Sequence, residues 1–101
     1  MELTNNLNEN YIGKTIMMPD SNNLNAFYKV LELTNDKYTL KQLKCDTKLI
    51  RKLIDEDCDI VGEVYEAKVF DEYATDTLIF IDKKSISEYT VIYVPIVQYE
   101  I

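Results

Sequence analysis

The chain contains no histidine and no tryptophan, a single arginine, and only two glycines, two prolines and two cysteines. Without histidine there is no imidazole base, no Cys–His or Ser–His nucleophile pair and no imidazole metal ligand. Gly13 and Gly62 are isolated, so no glycine-rich loop exists to cradle a phosphate. Cys45 and Cys58 are too few for a disulfide scaffold and lack the CxxC spacing of redox or zinc chemistry, so both are expected as reduced, buried thiols. No apolar run approaches the roughly 20 residues that span a bilayer. The start, MELTNNLNENY, has neither the basic head nor the apolar centre of a signal peptide. A cytoplasmic protein with no membrane contact is the expectation. Acid pairs such as Asp71 and Glu72, or Asp76 and Asp82, show no distinctive catalytic pattern. No catalytic residue and no cofactor are therefore assigned.

What is present belongs to an ordinary globular domain: 101 residues, 47% hydrophobic and 29% charged. Nothing resembling a linker, repeat or low-complexity tract divides it, so residues 1–101 are read as one domain. Lysine far outnumbers arginine, and Asn, Ile and Tyr are abundant, the bias of AT-rich coding sequence; a bacterial phage or mobile element fits that bias.

The elements follow from periodicity. TNNLNEN reads as a loosely held terminus, GKTIMMP (13–19) as a short strand closed by Pro19, and DSNNLN as a polar loop. AFYKVLELT and KYTLKQL alternate on either side of Asn35-Asp36-Lys37, which predicts a β-hairpin over 26–43. Leu49, Ile50, Leu53 and Ile54 recur at helical spacing behind Asp46, a residue suited to capping, and predict a short amphipathic helix over 46–54. IVGEVYEAKVF (60–70) and TLIFID (77–82) read as two strands, the second buried. Ser85 and Glu88 have capping-box spacing and predict one helical turn. TVIYVPIVQYEI (90–101) reads as one long closing strand, which Pro95 forces to an edge or a bulge. The sum is an α+β, mainly antiparallel β domain: a five- or six-stranded sheet or a small, partly closed (SH3-like) barrel with one or two short helices.

Charge is the most informative global feature. The net charge is −7. Residues 1–54 carry eight basic and six acidic side chains, whereas residues 55–101 carry three basic and twelve acidic. Asp55, Glu56, Asp57 and Asp59 crowd into five positions, with Glu63 and Glu66 close behind. Laid on a twelve-residue calcium loop, Asp55, Asp57, Asp59 and Glu66 occupy ligand positions, but Ile60 stands where the loop needs glycine. No metal is assigned. The six acids, with Asp71, Glu72 and Asp76 as a second patch, are instead candidates for a surface that meets a basic protein, since dense carboxylates speed association with cationic partners.

This predicts a small acidic, non-catalytic binding protein. An inhibitor or immunity protein acting on a nucleic-acid-binding target is one form of it. Direct nucleic acid binding is disfavoured because the net negative charge repels phosphate. An alternative is a small-ligand, nucleotide-like site using Lys41, Lys44, Lys48 and Arg51, which would form one stripe on a continuous helix; rather than meeting nucleic acid, those lysines are expected to pair with the acidic half or to face water. A further alternative is a structural or assembly accessory protein, monomer or homodimer, whose contact edge includes Tyr93, Pro95, Val97 and Tyr99.

Overall fold

The computed structural model describes residues 11–20 and 24–101. The Asn-rich start and residues 21–23 of the polar loop lie outside them. Six strands form a single all-antiparallel sheet: β1 (Thr15–Pro19), β2 (Asn25–Thr34), β3 (Lys37–Ile54), β4 (Ile60–Asp82), β5 (Thr90–Ile92) and β6 (Ile96–Glu100). The only helical piece among the described residues is a 3-10 turn, Ile86–Glu88, between β4 and β5. The spatial order is β5-β1-β2-β3-β4-β6. Its two end strands are consecutive in the chain and joined by Tyr93, Val94 and Pro95, so the sheet must curl until its edges nearly meet. The result is a nearly closed barrel.

The β2–β3 hairpin forms as alternation predicts. Asn35 and Asp36 both take positive φ, 54° and 65°, the geometry of a type I′ turn whose twist suits the flanking strands. Asn and Asp tolerate it because their short polar side chains lower the cost of left-handed backbone. The Asp36 carbonyl also accepts the Lys83 N–H at 2.8 Å, tying the turn to the end of β4.

Two apolar clusters lie on opposite faces of β1 and β2. Ile16, Met18, Val30, Tyr38, Leu40 and Ile86 form the first, with Ile79, Ile81 and Val91 packed against it. Phe27, Ala67 and Tyr99 form the second, joined by Met17, Tyr65, Val69, Ile92 and Val97. Strand alternation accounts for the split, since Met17 points away from Ile16 and Met18, and Phe27 away from Val30.

The β3–β4 hairpin serves both clusters by bending between them. Its near part pairs Lys37–Lys41 with Leu78–Asp82 in unbroken register; further out, Leu43 meets Tyr73 and Cys45 meets Val69. β4 thus spends more residues than β3 between Lys41 and Cys45, and these bulges re-aim the ladder from the first cluster to the second. With principal extents of 51 × 34 × 23 Å and a radius of gyration of 15.7 Å, the described residues are longer than a compact 100-residue domain, for which about 13 Å is usual.

Several sequence expectations are corrected. Residues 46–54 are strand, not helix. The doublets Leu49-Ile50 and Leu53-Ile54 fall at register shifts of the β3–β4 ladder, so apolar neighbours that imitate a helical period mark bulges. The two strands over 60–70 and 77–82 are one, and its second part is not buried: Leu78 and Phe80 are exposed. The closing strand is two strands on opposite edges, divided at Pro95. The 3-10 turn forms where Ser85 and Glu88 predict it, but the Ser85 side chain makes no capping bond. Cys45 is half-buried and Cys58 exposed; both are free thiols.

Candidate functional site

The far end of the β3–β4 hairpin extends past the sheet. β6 accompanies β4 only along Val64–Lys68, after which Glu63 and Ile101 exchange two backbone bonds at 3.0 and 2.9 Å. Beyond that point two strands stand alone, and from Lys48 to Val61 every side chain except Leu53 is exposed.

The turn at this tip is ordered by Asp55. Its Oδ1 accepts the N–H groups of Asp57 and Asp59, both at 2.9 Å, its N–H donates to the Asp59 carbonyl at 3.0 Å, and its carbonyl accepts the Cys58 N–H at 3.1 Å. This is the self-bonding that makes Asp a turn residue. Cys58 takes φ 66° to complete it. Carboxylate oxygens of Asp55, Asp57 and Asp59 come within 4.8 Å of one another. Glu66, the residue a calcium loop would use as its last ligand, is elsewhere, in the ladder opposite Lys48.

Beside these acids sit Ile54, Ile60 and Val61, which are 60%, 56% and 63% exposed. Among the described residues no ion pair reaches Asp55, Glu56, Asp57 or Asp59. The tip therefore presents aliphatic surface next to carboxylates whose mutual repulsion no basic side chain relieves.

The other candidate acids are placed differently. Asp71 pairs with Lys29 (2.6 Å), Glu72 with Lys44 (2.7 Å), Asp76 with Lys41 (3.6 Å) and Glu66 with Lys48 (3.7 Å), while Glu63 accepts the Tyr65 hydroxyl at 2.8 Å. Lys37 and Asp82 make a further pair at 2.8 Å. Each of these pairs joins the basic first half to the acidic second half, because antiparallel pairing lays those halves side by side. Exposed pairs of this kind are worth about 0–1 kcal/mol each. The sequence halves are two-sided in charge, but these five pairs interleave them in space.

The lysine stripe does not form. Lys41, Lys44, Lys48 and Arg51 lie along a strand, where ten residues cover about 33 Å, and the three lysines are each committed to an acid. Of the proposed contact edge, Tyr93 and Pro95 are exposed in the link between β5 and β6, Val97 is half-buried, and Tyr99 is core: its ring stacks on Tyr65 at 5.9 Å and its hydroxyl accepts the Asn25 N–H at 3.2 Å.

Sequence reasoning missed a groove of ≈ 320 Å³ where β4 passes the β1–β5 edge, lined by Lys14, Lys29, Phe70, Ile92 and Tyr93 among others. The Lys14 ammonium lies 5.1 Å from the Tyr93 ring centre. Lys29 is already held by Asp71, and no motif in the sequence marks the site.

The perturbed acidities have local structural causes. Burial, then Asp20, raises Tyr28; the bond to Glu63 raises Tyr65; the bond to Lys37 holds Asp82 below the usual carboxylate value. Among the described residues no helix is long and apolar enough to cross a membrane. In comparison with known proteins, no family model, curated protein or solved structure matches the chain.

Proposed function

We propose that this is a small acidic, non-catalytic binding protein that docks a basic protein partner at the tip of the β3–β4 hairpin. The observation that carries the reading is the pairing of exposed Ile54, Ile60 and Val61 with Asp55, Glu56, Asp57 and Asp59, which lack internal counter-ions. A complementary partner has an apolar depression beside Lys or Arg, and a basic patch of that kind is the electrostatic footprint of a surface that grips nucleic acid. Occupying it would inhibit or neutralise such a target, as an inhibitor or immunity protein of a phage or mobile element does in the cytoplasm. The remaining acids, from Glu63 to Asp76, hold lysines and tyrosine in place and act in folding more than in recognition.

The test uses Glu56→Gln, Asp57→Asn and Asp59→Asn together, with Asp55→Asn as a separate control that keeps the carbonyl acceptor of the turn. Association rates with a basic protein recovered on the immobilised chain at low salt are measured over a salt series. The triple variant should associate about tenfold more slowly, with a flatter salt dependence. Rates unchanged by these substitutions, and by Val61→Ser, would remove the tip from recognition.

A further inference from the structure

From Phe70 to Asp82, β4 has a strand on one side only among the described residues, since β6 stops at Lys68 and only the Val69 N–H reaches on to the Pro95 carbonyl. Bulges pucker most of that edge, but Leu78–Asp82 runs in regular register with β3. Natural edges are blunted by lysine, proline or a bulge. Leu78-Ile79-Phe80-Ile81 contains none of these. Ile79 and Ile81 turn toward the first core cluster, while Leu78 and Phe80 are 43% and 61% exposed on the outer face.

We infer that this edge pairs with the same edge of a second copy, antiparallel about a two-fold axis through Phe80. The register is selected by the sequence itself. Centring on Phe80 sets Ile79 against Ile81 of the second copy, stacks Phe80 on its mate, and brings Asp76 toward the end where Lys83 and Lys84 of the second copy lie. Centring on Ile79 would oppose Asp76 to Asp82, and centring on Ile81 would set Phe80, Ile79 and Leu78 against Asp82, Lys83 and Lys84; centring on Phe80 mismatches only Leu78, which meets Asp82, so like charges and mismatched polarity weigh more against the other two. A second copy therefore supplies what the edge lacks: backbone partners, apolar matches for Ile79, Phe80 and Ile81, and opposite charge where Asp76 meets Lys84. The contact is isologous, so it closes as a dimer and does not propagate. It leaves the hairpin tip free, and its salt response has the opposite sign: screening weakens attraction between an acidic tip and a basic partner, but eases the approach of two copies that each carry −7.

The experiment is sedimentation equilibrium of the full chain from micromolar to millimolar concentration, at low and high salt. It is paired with diamide cross-linking of Phe80→Cys and Leu78→Cys, each in a Cys58→Ser background. The expected result is a monomer–dimer equilibrium that tightens with salt and weakens about tenfold or more in Phe80→Lys. That side chain is exposed, so an unchanged circular dichroism melt verifies the fold. Cysteine at 80 should form an interchain disulfide, each thiol losing a proton and an electron to diamide, because directly opposed antiparallel residues match disulfide spacing. Cysteine at 78, facing Asp82, should not. A monomer at all concentrations, a dimer indifferent to Phe80→Lys, equal cross-linking at 78 and 80, or a foreign peptide co-purifying on the edge would each overturn the inference.

Discussion

Removing the hydroxyl of Tyr99 and removing its ring perturb the protein by amounts that separate two roles of one side chain. Tyr99 is 9% exposed, stacks on Tyr65 with an interplanar angle of 23°, and accepts the Asn25 N–H across a sequence separation of 74 residues. Tyr99→Phe keeps the ring and deprives the first amide of β2 of its acceptor, at a cost of about 1 kcal/mol. Tyr99→Ala deletes the largest buried side chain of the second cluster, which otherwise has only Phe27 and Ala67 as its buried members, and should cost about 3–5 kcal/mol. In a domain of this size about 1 kcal/mol moves Tm by roughly 4–8 °C. Urea titrations of wild type and both variants measure the difference, with equal slopes as the check that unfolding stays two-state. If Tyr99→Ala costs no more than Tyr99→Phe, the second cluster is not a core. If Tyr99→Phe is neutral, the hydroxyl does not hold Asn25.

Asp36→Gly, placing glycine at a φ of 65° in the type I′ turn, should stabilise the domain by up to about 1 kcal/mol in thermal melts. Because the bond to Lys37 lowers the pKa of Asp82 in the folded state, the pair stabilises above the unfolded carboxyl value of about 3.9 and loses that contribution as pH falls through the lower folded value. Asp82→Asn should therefore shallow the acid unfolding curve and leave its alkaline limb alone. Tyr65 behaves oppositely: its folded value is raised, so its bond to Glu63 contributes below the unfolded tyrosine value of about 10 and is lost as pH climbs through the folded one. Tyr65→Phe should remove that alkaline dependence.

The hairpin over 26–43 was legible because two signals agreed, strict alternation on either side and a turn pair suited to left-handed backbone. Past Cys45 the signals conflict. Bulges set apolar residues side by side at Leu49-Ile50 and Leu53-Ile54, and doublets four apart are what an amphipathic helix also shows. Pairing with β4 decides the matter, and a partner some fifteen residues away is invisible to a local period. Pro95 was read as pushing one long strand to an edge or a bulge, whereas it lies in the link between two strands, and which edge each half joins depends on the closure of the whole sheet. At the tip, the acids were read from sequence, and so was the pairing of lysines with the acidic half. Which acids those lysines would consume was not, because it depends on register: Lys44 takes Glu72 and Lys48 takes Glu66 while Asp57 and Asp59 stay outside the ladder.

The three-residue link between β5 and β6 has a kinetic consequence. β5 completes one flank of the sheet against β1, whose pairing of Thr15 with Ile92 joins nearly opposite ends of the chain, and β6 completes the other against β4. Neither flank can be finished during synthesis until the segment carrying both strands has left the ribosome. Until then β1 and the outer half of β4 are unsheltered, and the hydrophobic seams around Ile92 and Tyr99 stay open. Folding should accordingly be slow for a chain of this length, in the millisecond-to-second range of non-local β topologies. Both flanks are closed by a single short segment, so a nick between Tyr93 and Pro95 would uncouple two closures that the intact chain makes together.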